Sequence, residues 1–387
     1  MKILWLAPYP HPLDVQAHPV PWVGALADYL RQQPGLELTI LHWTNKITAK
    51  TDEFERGGIR FIYLQVPSVR ADILTLYQWR IAIVRAWLRR HAAGYDLLHL
   101  HGSELQLPAM TAGLPQPQLL SVQGLVSQYP PYVPSWRSWL KVLWTLAGYY
   151  ERRYLPAIHH FSCRTHWDQA LVRQLSPGCV VHHNWEVIRP EFFRPPTLPA
   201  PEGGRPQLVF VGGTQIMKGF REVLAAFDLI RQQTAAARLV LAGVARPVEV
   251  WQAVQQAGLR HIGPADIECR PLLTAPELAQ LFGESVALLH PSYVDNSPNS
   301  VCEAQVAGLP VVATDVGGVR SLVEDETTGL LCTRAPASIA AQALRLLRDP
   351  TLRQRLATQA AAVARPRHDP ATIVARTLEI YRSVLGS

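Results

Sequence analysis

The chain has little of what marks several common protein classes. Its five cysteines, Cys163, Cys179, Cys269, Cys302 and Cys332, are odd in number, scattered and without a Cys-x-x-Cys spacing. That argues against a disulfide framework or a zinc site and for a reducing compartment. No stretch of the 387 residues is apolar for long enough to span a bilayer. The opening Met1-Lys-Ile-Leu-Trp-Leu-Ala-Pro8 is a short apolar strand, too brief for a secretory signal. A cytoplasmic protein is therefore expected. No lysine- and arginine-rich run with interleaved aromatics is present, which ranks nucleic acid last among partners. The first loop, Pro8 to Pro19, has no glycine.

What is present points to a large globular chain. Hydrophobic residues make up 48% of it, and the length exceeds what one core usually supports, so two domains are expected. The formal net charge of +7 favours anionic partners such as nucleotides or phospholipid headgroups. Pro195 to Pro206 is rich in proline and glycine and lacks periodicity, as a linker would be. The expected domains are 1–194 and 207–370.

The stretch 285–318 organises the second domain. Ser285 to Leu289 reads as a buried strand, followed by a polar loop. Ser297 is a good N-cap and Pro298 suits the first helical position. The helix should run to about Ala307, with Gly308 ending it. Val311 to Thr314 reads as the next strand, closed by Gly317-Gly318. This is a strand–loop–helix–strand unit of a parallel sheet, which binds ligands beyond the carboxyl ends of its strands.

The loop carries chemistry. Asp295 lies in it, and Glu303 lies on the helix about one turn past Asn299, with seven residues, 296–302, between the two acids. Backbone N–H groups around Ser297, Pro298, Asn299 and Ser300 belong to a helix N-terminus, an anion site. A carboxylate inside such a helix can accept two hydrogen bonds from a ribose diol. The unit reads as a site for a sugar nucleotide; the alternative is an ordinary capped helix with a solvated Glu303. Upstream, Gln207 to Val211 is a strand ending in Gly212-Gly213-Thr214, with Lys218-Gly219 before a helix. A glycine-rich turn with a lysine at a helix start suits phosphate.

In the first domain, Tyr95-Asp-Leu-Leu-His-Leu-His-Gly-Ser103 is a strand ending in a polar turn. His99 shares a strand face with His101 and reads as a satisfied core histidine. Gln118 to Leu125 is another strand and turn, in which Gly124 would let the backbone approach a ligand. Gln123 can hydrogen-bond but cannot act as a base. Cys163-Arg-Thr-His-Trp-Asp168 offers Arg164 as a charged ligand contact or as half of an Arg164–Asp168 pair. His11 and His18 read as exposed loop histidines more than as polar contacts. Leu74 to His91 reads as one helix. Tyr129 to Tyr154 carries Trp136, Trp139, Trp144 and Tyr149 beside Arg137, Lys141, Arg152 and Arg153. It is read equally as a membrane-facing surface or as a core helix with an aromatic stripe.

The Asp295–Glu303 segment, with Ala307-Gly-Leu-Pro-Val-Val-Ala-Thr314 and Glu324-Asp-Glu-Thr-Thr-Gly-Leu-Leu331, resembles the glutamate–seven–glutamate signature of retaining glycosyltransferase family 4. That family has the GT-B fold: α/β, two doubly wound, Rossmann-like domains with a cleft between them. The resemblance covers nearly the whole chain and is most specific in 285–331. It departs at Asp295 where the family has Glu, at Gly213 where it often has Arg, and at Gln123 where many members have His. It implies a final helix, 371–385, crossing back onto the first domain.

The resemblance also implies a retaining glycosyltransferase moving a sugar from a nucleotide-sugar donor to a hydroxyl acceptor, which by the habit of the family is a lipid-linked or surface-polysaccharide glycan. Glu303 would bind the ribose, and Lys218 with the helix N-terminus would hold the diphosphate. Gly212, Gly213 and Thr214 would approach the phosphates, Arg270 and Leu272 the base, and Asp295 the donor sugar. His101, Gln123, Gly124 and Arg164 would face the acceptor. No Asp-x-Asp motif calls for a metal, so metal independence and no cofactor are expected. Contact with the inner face of a membrane would run through 129–154. Two rivals remain: another GT-B enzyme, such as a sugar-nucleotide epimerase or phosphorylase, and a non-catalytic sugar-nucleotide-binding protein.

Overall fold

The computed structural model describes residues 1–14, 20–133, 138–194 and 205–386. His18, Trp136, Arg137 and most of the expected linker lie outside the described residues. The chain divides into two compact units, Met1–Val187 with Pro370–Ser387, and Ile188–Asp369. Among the described residues no helix is long and apolar enough to cross a membrane. All five cysteines are free thiols.

The first unit is built on an eight-stranded sheet. Its strands are β1 (Lys2–Leu6), β2 (Glu37–Thr44), β3 (Thr51–Arg56), β4 (Ile59–Gln65), β5 (Leu97–His101), β6 (Gln118–Ser121), β7 (His160–Cys163) and β8 (Val180–His183). They lie in the order β3-β4-β2-β1-β5-β6-β7-β8. Every pairing is parallel except β3 with β4. β3 was not expected from the sequence. Thr-Asp-Glu-Phe-Glu-Arg has no apolar run, as suits an edge strand kept from pairing further by charge.

Both faces of this sheet are covered, which is why its central strands read as continuous apolar runs. Ile3 and Trp5 pack on one side with the final helix, Pro370–Leu385, through Val374, Ile380 and Tyr381. Leu4, Leu6, Leu98 and Leu100 pack on the other. The Tyr381 hydroxyl accepts from the Trp5 indole (2.9 Å) and meets His99 Nδ1 (2.8 Å), while His99 Nε2 meets Ser121 Oγ (2.7 Å). The buried polar groups of Trp5, Tyr381 and His99 are thereby satisfied, with Ser121 closing the chain. The expected helix from Leu74 to His91 is broken into Val69–Leu74 and Gln78–His91. Between them Leu76 and Tyr77 have φ of 50° and 66°, left-handed values no continuous helix allows.

The second unit holds β9 (Gln207–Val211), β10 (Arg238–Ala242), β11 (Ile267–Arg270), β12 (Ala287–His290), β13 (Val311–Thr314) and β14 (Leu330–Cys332), all parallel. The order is β11-β10-β9-β12-β13-β14. The strand sequence reverses between β9 and β12, so the loops leaving these two strands open a crevice at the carboxyl edge. That is where open parallel sheets bind ligands. The unit begins at Ile188, before the proline-rich stretch. Phe192 is fully buried, with its ring 5.7 Å from that of Phe282, and this ties the segment to the second sheet.

Candidate active site

The β9 and β12 loops meet at the switch point. Gly213 (φ 58°) and Gly219 (φ 80°) both need left-handed backbone, and neither has room for a side chain. A Cβ on Gly213 would lie 2.8 Å from the Gly243 carbonyl, and one on Gly219 would lie 2.0 Å from the Pro291 carbonyl. This packing explains why no arginine stands at 213. Between the two glycines the short turn Ile216–Lys218 presents Lys218. Its Nζ donates to Asp295 Oδ2 at 2.6 Å. Tyr293 N also donates to the Met217 carbonyl (2.9 Å), so the two loops are pinned together on both sides of the ion pair.

Asp295 is therefore an ion-pair partner as well as a potential hydroxyl acceptor. Ser292 Oγ and His290 Nε2 also approach its Oδ2, each at 3.3 Å. Burial pushes the Asp295 carboxyl up, but the Lys218 charge and the His290 contact outweigh it and hold the acid well below its usual range. Burial keeps His290 neutral, against the pull of Asp295. Gly317 packs under the Asp295 carbonyl, which Gly318 N bonds at 2.9 Å, so the Gly-Gly pair after β13 fixes the β12 loop.

The helix that follows is Asn299–Ala307, ended by Gly308 (φ 79°). Its start differs from expectation by one residue. Pro298 (ψ 117°) is the N-cap, no side chain caps the end, and Ser297 Oγ lies 3.9 Å from Cys302 Sγ. The N-terminus beside Asn299 and Ser300 is thus left without a capping side chain. Glu303, one turn in, is 4% exposed and not a solvated surface acid. Its Oε1 accepts from Arg189 Nε (3.2 Å) and Nη2 (2.6 Å). Arg189 carried no role in the sequence reading. The segment Arg189-Pro-Glu-Phe-Phe193 resembles the family's stretch before the linker, and it belongs to this unit.

Other expected donor contacts are placed less directly. Thr214 Oγ1 donates to Glu249 (3.0 Å). The Arg270 side chain pairs with Glu268 (2.6 Å), and its carbonyl accepts from Val244 N (2.8 Å). Leu272 is exposed.

In the first unit, His101, Gln123 and Arg164 share a small cavity of about 30 Å³ at the carboxyl ends of β5, β6 and β7, with Asn184 and Glu186 on its wall. His101 is buried and held neutral by burial, and its Nε2 has no hydrogen-bond partner. Arg164 stays on the cavity wall, but its side chain does not pair with Asp168. Its guanidinium is buried and bonds Glu186 and the Val122 carbonyl. Asp168 takes the Arg164 backbone N–H (3.0 Å) and closes a capping box with Thr165. Burial raises the Glu186 carboxyl, opposed by Arg164 and by a hydrogen bond from Gln123. Gln123 and Arg164 are thus joined through Glu186, for which the sequence predicts no role.

At Gly124 a Cβ would lie 2.2 Å from the Tyr129 hydroxyl and 3.1 Å from Glu104 Oε1, so glycine is needed there to admit these two side chains. His11 also differs from expectation. It is buried, with Nε2 2.9 Å from Asp52 and its ring edge-on to Tyr63. The Glu104 carboxyl is pushed up to about 7 by burial, with the nearby Glu151 adding to the effect and backbone N–H groups opposing it. The stability contributed by a raised acid is complete below its ordinary value of 4.5 and is lost as pH rises through about 7. Glu104→Gln, neutral throughout, should flatten the fall in Tm between about pH 5 and pH 8. An unchanged slope in a thermal melt series would contradict this.

Residues 205–349 match the family model described as glycosyl transferases group 1. The D-inositol 3-phosphate glycosyltransferase of Frankia alni is 34% identical over 191 residues, covering 46% of this chain and 46% of that protein. The glycogen synthase of Mycobacterium tuberculosis H37Rv is 28% identical over 232 residues, 57% of this chain and 53% of that protein. The chain thus spans about half the length of the curated relatives it matches. The sucrose-phosphate synthase of Thermosynechococcus elongatus superposes with a TM-score of 0.78 at 19% identity, over 100% of this chain and 99% of that one. Anabaena HepE, in complex with UDP and glucose, gives 0.72 at 17% identity, over 99% and 100%. The match spans β9 to the end of the helix Pro336–Arg348, including both switch-point loops, and these neighbours share the two-sheet architecture. Residues 205–349 are accordingly similar to the glycosyl transferases group 1 family, in a chain of the GT-B fold.

Proposed function

We propose that the chain is a retaining glycosyltransferase of the family 4 type, moving a sugar from a nucleotide donor to a hydroxyl of a glycan or lipid-linked acceptor. One observation carries the reading. The switch point of the second sheet brings Lys218 against Asp295 (2.6 Å), in the loop that leads into an uncapped helix N-terminus with Glu303 one turn behind it. A cation and free backbone N–H groups suit a diphosphate, and a buried carboxylate suits a ribose diol.

In this reading Glu303 accepts from the ribose hydroxyls while Arg189 fixes its orientation. Lys218 and the helix N-terminus hold the diphosphate and stabilise the charge that develops on it as the sugar leaves. Asp295 receives donor-sugar hydroxyls on the oxygen turned away from Lys218. Lysine and helix dipole together do the work a metal does elsewhere, so turnover is metal-independent. His101, Gln123 and the cavity wall receive the acceptor. Because Arg164 is neutralised by Glu186, that wall offers hydrogen bonds and no net charge, which suits an uncharged hydroxyl. The exposed aromatic and basic face of the helix Trp139–Tyr154 contacts the inner face of a membrane, consistent with assembly of a surface polysaccharide.

The names of similar proteins support the reading without fixing the substrates. The relatives are an inositol phosphate glycosyltransferase and a glycogen synthase, and a structural neighbour from E. coli is bound with UDP-2-fluoro glucose. UDP-sugars are therefore the first donors to test. Release of nucleotide from the donor, measured with and without candidate acceptors and with and without EDTA, tests the proposal. Acceptor-dependent, EDTA-insensitive release is expected. Binding without turnover on any acceptor would instead indicate a sugar-nucleotide-binding protein.

A further inference from the structure

Exposed large apolar side chains are unevenly spread over the molecule. Of fourteen among the described residues, eight lie in two short stretches of the first unit, 69–79 and 139–149. Leu74 is 83% exposed and Trp79 52%; Trp139 is 59% exposed and Tyr149 56%. Single exposed apolar residues need no explanation, but a concentration of them marks an interaction surface.

The two stretches are distant in sequence and adjacent in the fold. The Tyr150 hydroxyl donates to the Leu76 carbonyl (2.6 Å), and the Tyr77 and Tyr150 rings lie 6.4 Å apart. The turn at Leu76 and Tyr77 runs through left-handed φ, an unfavourable conformation for such side chains. It interrupts what would otherwise be one helix and leaves Leu74 and Leu76 in solvent.

Charge identifies the occupant. The two acids within 69–79 and 139–154 are both buried and engaged. Asp72 lies 3.4 Å from Arg80, and Glu151 accepts from Ser103 Oγ, Val126 N and Ser127 N. Arg70, Arg152 and Arg153 are exposed. The outer face therefore combines large apolar groups with charge of one sign, the chemistry of an anionic lipid surface.

We propose that residues 69–79 and the exposed face of the helix Trp139–Tyr154 form one bipartite docking surface for an anionic bilayer. Leu74, Leu76 and Trp79 enter the acyl boundary, and Arg70, Arg152 and Arg153 meet the headgroups. This deepens the membrane reading of the helix and rests on it, while adding a second element, 69–79, that does the inserting.

The test is flotation of the full chain with vesicles of phosphatidylcholine alone or mixed equally with phosphatidylglycerol. The protein should float with the mixed vesicles, fail to float with the neutral ones, and dissociate as salt is raised. Leu74→Ser with Trp79→Ser should lower partitioning by about tenfold or more. Arg152→Gln with Arg153→Gln should lower it by about fivefold per charge at low salt. All four residues are exposed, so both variants should keep the wild-type Tm and nucleotide response. Absence of flotation by the wild type overturns the proposal together with the membrane reading of the helix. Wild-type partitioning by the Leu74/Trp79 variant, with loss in the Arg152/Arg153 variant, overturns the role of 69–79 alone. A concentration-dependent dimer, abolished by the Leu74/Trp79 changes, would mean a second copy is the occupant and would overturn it as well.

Discussion

Glu303→Ala is expected to weaken binding of the donor nucleotide by about a hundredfold. The figure follows from two charge-assisted hydrogen bonds to the ribose at about 1.5 kcal/mol each, and tenfold in Kd per 1.4 kcal/mol. The variant has a second effect, because Glu303 is also the counterion of Arg189. Removing one partner of a largely buried pair leaves the other charge uncompensated, so Tm falls as well. Arg189→Gln separates the two. It leaves the Glu303 carboxylate in place without its clamp, so affinity should drop by only about tenfold. Isothermal titration of both variants reads the difference. Near-normal affinity in Glu303→Ala would remove the ribose assignment, and equal losses in the two variants would make Arg189 a direct ligand contact.

Lys218→Met should lower kcat by about a hundredfold or more, since it removes the one side-chain cation placed at the β9 loop against the leaving diphosphate. It also uncovers Asp295. In the native chain the carboxyl is held well below its ordinary 3.8, so its stabilising contribution is present above that value and is lost only as pH falls through the depressed folded value. Without Lys218, burial dominates and the acid shifts upward, so the variant should lose Tm at neutral pH and recover part of it on acidification. Adding Asp295→Asn should restore neutral-pH stability without restoring turnover. Recovery of both would make the pair a structural contact and move the phosphate site elsewhere.

The sequence carried the parts of this account that depend on local pattern. The β12–helix–β13 unit was legible because Gly308 and Gly317-Gly318 must sit where backbone turns sharply, and because buried parallel strands are continuous apolar runs. Lys218 was legible for the same reason, from its place after a glycine turn. What was not legible is long-range pairing. Nothing near Glu303 names Arg189, 114 residues away, and nothing near Arg164 favours Glu186 over the closer Asp168. Ser297 looked like a cap because serine usually is one, but the Pro298 backbone takes that position and the serine hydroxyl turns inward. His11 looked like a loop residue because prolines surround it. It is buried against Phe54 and Tyr63 and meets Asp52, and both Phe54 and Asp52 are carried by the edge strand β3 that local pattern also missed.

The measurement that tests the central claim most directly is a thermal-shift comparison of the native chain and Glu303→Ala against UDP, GDP, ADP and TDP, each with and without EDTA. A ligand that binds only the folded state raises Tm by mass action. One nucleotide should shift the native chain, equally in EDTA, and should shift Glu303→Ala far less at the same concentration. No shift with any nucleotide, or an equal shift in the variant, would contradict the placement of a nucleotide-sugar site at the β9–β12 switch point.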